Sequence, residues 1–381
     1  MGETIRVLQV LGGTGLGGAE SRVMDLYRNM DRSRVQFDFA VHSAQKGFFD
    51  EEIEMLGGQI FRLPRFKVYN WFSYQKAWRT FFEEHPGYAC VHGHMTSTAA
   101  IYLPEAKRAG AGRTVAHARS AGVDGGIKGW LTRLMRKNLW KRADFCFTCS
   151  GLAGAAVFGH KACSAGVVHI IPNAIEVDKF AYDPAKREQM RARLGVEDRF
   201  VVGHVGRFNA VKNHPFLLEV FSQIRQKRPE SVLVLLGEGG GMEAARERVA
   251  QLGISDCVHF LGNRENVADY YQAMDFLVFP SLYEGMPGTV LEAQACGLPC
   301  LMSDSVTEEV QVTELVSAMS LTEPAQEWAE CVLKQAKERT GKLRHSETGA
   351  LKAAGFDVKL QAQRMMDFYE KGEPLWEKRN C

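Results

Sequence analysis

Short apolar runs ending in glycine, proline or polar residues alternate along this chain with stretches whose apolar positions recur every three to four residues. Residues 5–11 (Ile-Arg-Val-Leu-Gln-Val-Leu) read as a buried strand followed by the glycine-rich 12–18. Val23, Leu26, Tyr27 and Met30 then fall at helical spacing, which predicts a helix over 19–30. Strands are expected next at 35–41, 88–94, 112–119 and 143–150, with a helix opening at Thr96. The second half repeats the rhythm, with strands at 200–206, 231–237, 257–262 and 275–280 and a helix from Pro215. The run from Cys300 reads as the last strand. A final helix over 356–375 is marked by Phe356, Leu360, Met365, Met366 and Tyr369. Strands alternating with helices predict parallel sheets, an α/β class.

The most informative stretch follows the strand at 275–280. It carries Glu284, then Gly285-Met-Pro-Gly288, then a helix from Thr289 that holds Glu292 and is closed by Gly297 and Pro299. Glu284 is expected on the strand-to-helix loop, and Glu292 at the third or fourth helical residue. A helix start between them offers free N–H groups to an anion. Two carboxylates beside an anion site suit a ligand with both hydroxyls and phosphates, as a nucleotide sugar has.

At 381 residues the chain is too long for one ordinary core, so two domains are expected. The net charge of +2 hides an asymmetry. Residues 1–173 hold 22 Lys+Arg against 14 Asp+Glu, and the remainder 25 against 31. A basic first half suits an acidic surface or partner, and anionic lipid head groups and nucleic acid both qualify on charge. The nine cysteines show no disulfide cadence, which fits a reducing compartment. Cys146 and Cys149 form a C-x-x-C inside an apolar strand with no second pair, a poor zinc site. The start lacks the marks of a signal peptide, and no uncharged apolar run reaches the roughly 18 residues of a membrane span. The expectation is a cytoplasmic protein, soluble or seated on a membrane from one side.

Residues 128–142 are the stretch suited to such a seat. They carry six basic residues, two tryptophans and no acid. Leu131, Leu134, Met135 and Leu139 make one apolar stripe at helical spacing. An interfacial helix on anionic lipid and a core-packing helix with a basic outer face both fit. The aromatic cluster from Phe66 to Phe82, with Trp71 and Trp78, reads as core.

The glycine-rich turn is open to two readings. Gly13, Gly15 and Gly18 satisfy G-x-G-x-x-G, and Asp38 lies twenty residues on, as in an NAD-dependent oxidoreductase. Yet Asp38 falls inside its strand, not at the strand's C-terminal end, where a ribose-binding acid belongs.

Three marks together resemble retaining glycosyltransferases of the family 4 type. They are the Pro280-Ser-x-x-Glu284-Gly frame with Glu292 eight residues on, Gly206-Arg207 followed after four residues by Lys212-Asn213, and Gly17-Gly-Ala-Glu20. The resemblance covers nearly the whole chain and is tightest over 200–305. It implies a GT-B fold, two Rossmann-like domains facing each other across a cleft. Residues 1–175 would form the acceptor side, with a helix of about 358–381 returning to it, and 176–357 the nucleotide-sugar side. The boundary is expected near Glu176, after Ile171-Pro-Asn-Ala-Ile175.

The resemblance also implies roles. Arg207 and Lys212 would clamp the donor diphosphate beside Gly206, where fixed cations stabilise the charge growing on the leaving group. Glu284 and the amides of Met286, Pro287-Gly288 and the following helix start (Thr289, Val290) would hold the transferred sugar and phosphate. Glu292 would bind the ribose hydroxyls, and the Asn263-Arg264 turn the base through its backbone. Gly17 and Gly18 would approach the donor phosphate, and His117 would face the acceptor and the reacting sugar. The family's usual His-Ser-His-Asn is replaced here by His117-Ala-Arg119-Ser, so Arg119 departs from the pattern and offers a cation to an acceptor phosphate. No Asp-x-Asp occurs, and no cluster has metal-ligand spacing. The expectation is therefore no metal and no cofactor, with a nucleotide sugar, most simply a UDP-sugar, as co-substrate. The partner would be a saccharide or lipid-linked acceptor, not nucleic acid. Within the family, the wording after Glu292 is similar to capsule and exopolysaccharide assembly enzymes. An NAD-dependent oxidoreductase, a GT-B sugar-nucleotide 2-epimerase and a nucleotide-sugar binder without catalysis remain the alternatives.

Overall fold

Parallel strands cannot be joined by tight hairpins, and each strand here is separated from the next by enough chain to cross over. The computed structural model describes residues 4–120 and 126–373. They divide into two units, Met1–Ala174 with Asp357–Cys381, and Ile175–Phe356.

The first unit holds seven strands: β1 (Ile5–Leu11), β2 (Val35–Val41), β3 (Ile60–Arg62), β4 (Cys90–Gly93), β5 (Thr114–Ala118), β6 (Phe145–Thr148) and β7 (Val168–Ile170). They lie in the order β3-β2-β1-β4-β5-β6-β7, parallel throughout. The second holds β8 (Phe200–Val205), β9 (Ser231–Leu236), β10 (Val258–Gly262), β11 (Phe276–Phe279), β12 (Cys300–Ser303) and β13 (Val316–Met319). Their order is β10-β9-β8-β11-β12-β13, again all parallel. Each order reverses once, between β1 and β4 and between β8 and β11. In open α/β sheets the crevice beyond the strand ends at such a reversal is where ligands sit.

Alternating side chains feed two cores in the first unit, one on each face of its sheet. Leu8 and Val10 join Trp78, Tyr102 and Leu139 on one face. Val7 and Leu11 join Phe37, Phe39, Met365 and Tyr369 on the other. The helix Val358–Lys371 supplies that second cover, so the end of the described chain packs with its beginning. Only part of the aromatic stretch is core: Tyr74, Trp78, Phe81 and Phe82 are buried, whereas Tyr69, Trp71 and Phe72 are exposed, because they precede or open the helix Trp71–Glu84 on its outer side.

Several expectations need correction. β13, not β12, ends the second sheet; its Val-Ser-Ala-Met is short and only partly buried at an edge, so its apolar signal is weak. The final helix runs Val358–Lys371, and Leu360 is exposed while Gln361 and Ala362 turn inward. Residues 128–142 are not one helix. The helix Gly126–Arg136 ends before Asn138, whose φ of 59° breaks the turn, and Leu139–Lys141 follow as a separate 3-10 turn. The stripe is split as well. Met135 and Leu139 are buried and Leu131 packs against the core, but Leu134 is exposed.

Asp38 is fully buried in mid-strand, accepting from Arg6 Nε at 2.8 Å, the Tyr88 hydroxyl at 3.1 Å and the Gln59 amide at 2.9 Å. Its carboxylate ties strands together and is spent on protein donors.

Buried histidines recur in both units: His42, His92, His117, His204 and His214. Loss of solvation holds each below the ordinary 6.5, and His214 down at about 4, with Lys212 adding to the effect. These groups are neutral when folded and take up protons readily only when unfolded. Their contribution is therefore complete above pH 6.5 and is lost as pH falls towards 4. Urea unfolding between pH 7 and 4.5 should show a steep fall in stability, of about 2 kcal/mol for His214 alone. A flat profile would contradict neutral burial.

Candidate active site

The loops leaving β8 and β11 are forced together because those two strands are neighbours. After β8 come Gly206, the exposed Arg207 and a 3-10 turn, Ala210–Lys212. Asn209 caps that turn, its Oδ1 accepting the Lys212 amide at 3.1 Å. Asn213, with φ of 53°, then redirects the chain into the helix His214–Lys227. The spacing Asn-x-x-Lys is itself a capping signal that a sequence reader could have used.

This geometry delivers Lys212 to Glu284. Its Nζ lies 2.8 Å from Glu284 Oε1 and 4.3 Å from the centroid of the buried Phe279 ring. Glu284 is itself anchored by a single parallel bridge to Val306. The two strongest sequence candidates are thus in contact. Behind Lys212, His204 and His214 are buried and held neutral, so the charge belongs to the lysine.

Gly206 is tightly placed. Gly237, with φ of 126°, leaves no room for a Cβ, which would fall 2.1 Å from the Gly206 carbonyl oxygen. The β8 and β9 exits therefore run backbone against backbone. Asn263 and Arg264 are exposed on the loop after β10, and Asn263 Nδ2 donates to Glu238 Oε2 at 3.1 Å.

The helix Gly288–Ala295 starts at Pro287 with no side-chain cap. The amides of Gly288 and Thr289 open the helix without an intrahelical carbonyl to meet, the condition under which a helix start attracts an anion. Met286 and Pro287 are buried beneath it, and Thr289 Oγ1 donates to the Val205 carbonyl at 3.2 Å, tying the helix start to β8. The Val290 amide donates to the Pro287 carbonyl at 3.3 Å. Glu292 is the fifth residue of the helix, one step further in than expected, because the helix begins at Gly288. It is buried and accepts from the Tyr271 hydroxyl at 2.9 Å. Tyr271 has no motif around it and was not foreseen. At the other end of the helix, Arg344 donates to the Cys296 carbonyl at 2.7 Å and the Met274 carbonyl at 2.8 Å, which fixes the helix from behind.

In the first unit the glycine-rich turn leaves β1 and opens the helix Gly18–Arg28, with Gly17 as its cap. Thr14 bonds Asp50, which pairs in turn with Arg62, and so clamps the turn. A Cβ at Gly12, Gly15 or Gly18 would meet nothing within 4 Å. Neither crowding nor positive φ demands glycine there, and the open space beside the turn would admit a ligand close to the backbone. His117 is the penultimate residue of β5, buried beside His92 and His94, and Arg119 is the first residue past the strand.

The family model described as glycosyl transferases group 1 matches residues 186–373, and that of the glycosyl transferase 4-like domain matches 17–174. The chain is 35% identical to the putative glycosyltransferase EpsF of Bacillus subtilis over 96% of each protein. It is 33% identical to an Escherichia coli UDP-Gal:alpha-D-GlcNAc-diphosphoundecaprenol alpha-1,3-galactosyltransferase, over 36% of each. Among solved structures, Anabaena Alr3699/HepE in complex with UDP and glucose superposes with a TM-score of 0.80 at 19% identity, over 96% of this chain and 100% of that one. The two parallel α/β units are those of a GT-B fold. With both halves matched by these models and a relative similar over almost its full length, the chain belongs to the group 1 glycosyltransferases with a glycosyltransferase 4-like first domain.

Proposed function

We propose that this glycosyltransferase moves a hexose from a UDP-sugar to a saccharide or lipid-linked acceptor in polysaccharide assembly, with retention of anomeric configuration and without a metal. The observation that carries the reading is the Lys212–Glu284 contact of 2.8 Å, beside an uncapped helix start. Lys212 and Arg207 would take the donor diphosphate, assisted by the amides at Gly288. Glu284 would hold hydroxyls of the transferred sugar, and Glu292, oriented by Tyr271, those of the ribose. Fixed positive groups stabilise charge as it develops on the leaving phosphate, and need no reorganisation during the reaction. That phosphate would help deprotonate the acceptor on the same face, so no protein nucleophile is required. Neighbours in complex with UDP and with UDP-glucose, and the names of EpsF and the E. coli galactosyltransferase, support the donor class and the pathway.

Lys212→Ala and Arg207→Ala should each lower turnover on the order of 100-fold, the scale of losing one charge-stabilising donor. The assay is nucleotide release from UDP-sugars with lipid-linked acceptors. Turnover near that of the unaltered protein would remove these residues from the reaction.

The acceptor side includes a surface suited to anionic lipid. No described helix is long and apolar enough to cross a membrane. The helix Gly126–Arg136, however, exposes Trp130 (59%) and Leu134 (51%) one turn apart, with Arg133, Lys137 and Lys141 exposed nearby. Burial of two such side chains contributes about 1.5–3 kcal/mol each, and each basic residue about 1 kcal/mol near an anionic surface. Replacing Trp130 and Leu134 together by serine should weaken cosedimentation with phosphatidylglycerol vesicles about tenfold or more. Equal sedimentation of both proteins would exclude this face.

A further inference from the structure

Five hydrogen bonds in the first unit join six polar side chains end to end. Arg119 Nε lies 3.3 Å from His94 Nδ1, and His94 Nε2 lies 2.9 Å from Gln9 Oε1. Gln9 Nε2 lies 3.3 Å from the Tyr369 hydroxyl, which is 2.7 Å from His92 Nδ1. His92 Nε2 lies 2.9 Å from His117 Nδ1. At the far end, His117 Nε2 is buried with no hydrogen-bond partner. The chain draws on β1, β4, β5 and the helix Val358–Lys371, so residues 360 positions apart in sequence meet in it.

One end of this chain has a fixed polarity. A guanidinium has only donors, so His94 Nδ1 must accept. A neutral His94 then carries its proton on Nε2 and donates it to the Gln9 oxygen. That turns the Gln9 amide nitrogen to Tyr369, whose hydroxyl accepts it and sends its own proton to His92 Nδ1, its remaining partner. His92 in turn carries its proton on Nε2 and donates to His117 Nδ1. Reversing any one bond would set two donors against each other or leave a buried hydroxyl proton without an acceptor, a cost of about 1–3 kcal/mol.

We propose that Arg119, His94, Gln9, Tyr369 and His92 are positioning residues that hold His117 as the neutral tautomer with its proton on Nε2. His117 then offers a hydrogen-bond donor, not a base, to an oxygen of the reacting ligands; this last clause rests on the reading of His117 as the group that faces them. Burial supports neutrality, since desolvation and the nearby Arg119 cation hold all three imidazoles well below their ordinary value. The proposal also gives Arg119 a use: it sets the direction of the whole chain. It bears on metal binding too. The ligand atoms of His92, His94 and His117 lie within 4.8 Å of one another. In the polarised chain, however, every Nδ1 lone pair already accepts a proton, and none is left for an ion.

The test is long-range proton–nitrogen correlation NMR at pH 7 on the full chain with 15N-labelled histidine, which reads tautomers without any substrate. It therefore separates this proposal from the pathway reading. All three histidines should carry the proton on Nε2. Tyr369→Phe should cut the chain at one point, leaving His94 fixed while His92 and His117 become tautomer mixtures. His117 protonated on Nδ1, or doubly protonated, would overturn the proposal. So would a His117 signal unmoved by Tyr369→Phe, or stoichiometric zinc uptake that His92→Ala abolishes.

Discussion

Parallel pairing of β8 with β11 is the constraint on which the candidate site depends. It makes neighbours of two strands whose numbers are not consecutive, and so sets two loops side by side that are more than seventy residues apart. Lys212 leaves one loop and Glu284 the other, and their contact follows from sheet order. β1 and β4 stand in the same relation in the first unit, where Val10 near the end of β1 pairs with Gly93 and its carbonyl accepts the His94 amide. Each unit thus places its candidate residues near the reversal of its own strand order.

Around the Lys212–Glu284 contact the protein keeps charge scarce. The histidines behind Lys212 are neutral, Phe279 covers it with a ring face, and the helix at Gly288 contributes partial positive charge without an ionised side chain. The first unit follows the same economy. Three imidazoles stand beside Arg119, and burial keeps them uncharged, so that only the arginine carries charge in that group.

Much of this was legible in the sequence because the informative residues are local. Lys212 follows Arg207 by five positions and Glu292 follows Glu284 by eight, so each pair sits in one strand-to-helix segment, and the family resemblance singled these residues out. Runs such as β9, six buried apolar or small residues, announce themselves. What escaped is what depends on distant packing. β3 and β13 are three and four residues long at sheet edges, too short for a period to register. The break at Asn138 needs a left-handed residue inside an otherwise helical pattern. Leu134 and Leu360 match their stripes in spacing, yet are exposed. Tyr271 behind Glu292, and Gln9 with Tyr369 behind His92, carry no motif, and only the folded sheet brings them together.

The central claim is that the strand ends of the second unit seat a nucleotide, with Glu292 on its ribose. Titration calorimetry of UDP into the full chain and into Glu292→Gln tests it most directly. Loss of a charged hydrogen-bond acceptor should weaken binding about 10- to 100-fold. Equal affinity for UDP in both proteins would contradict the account.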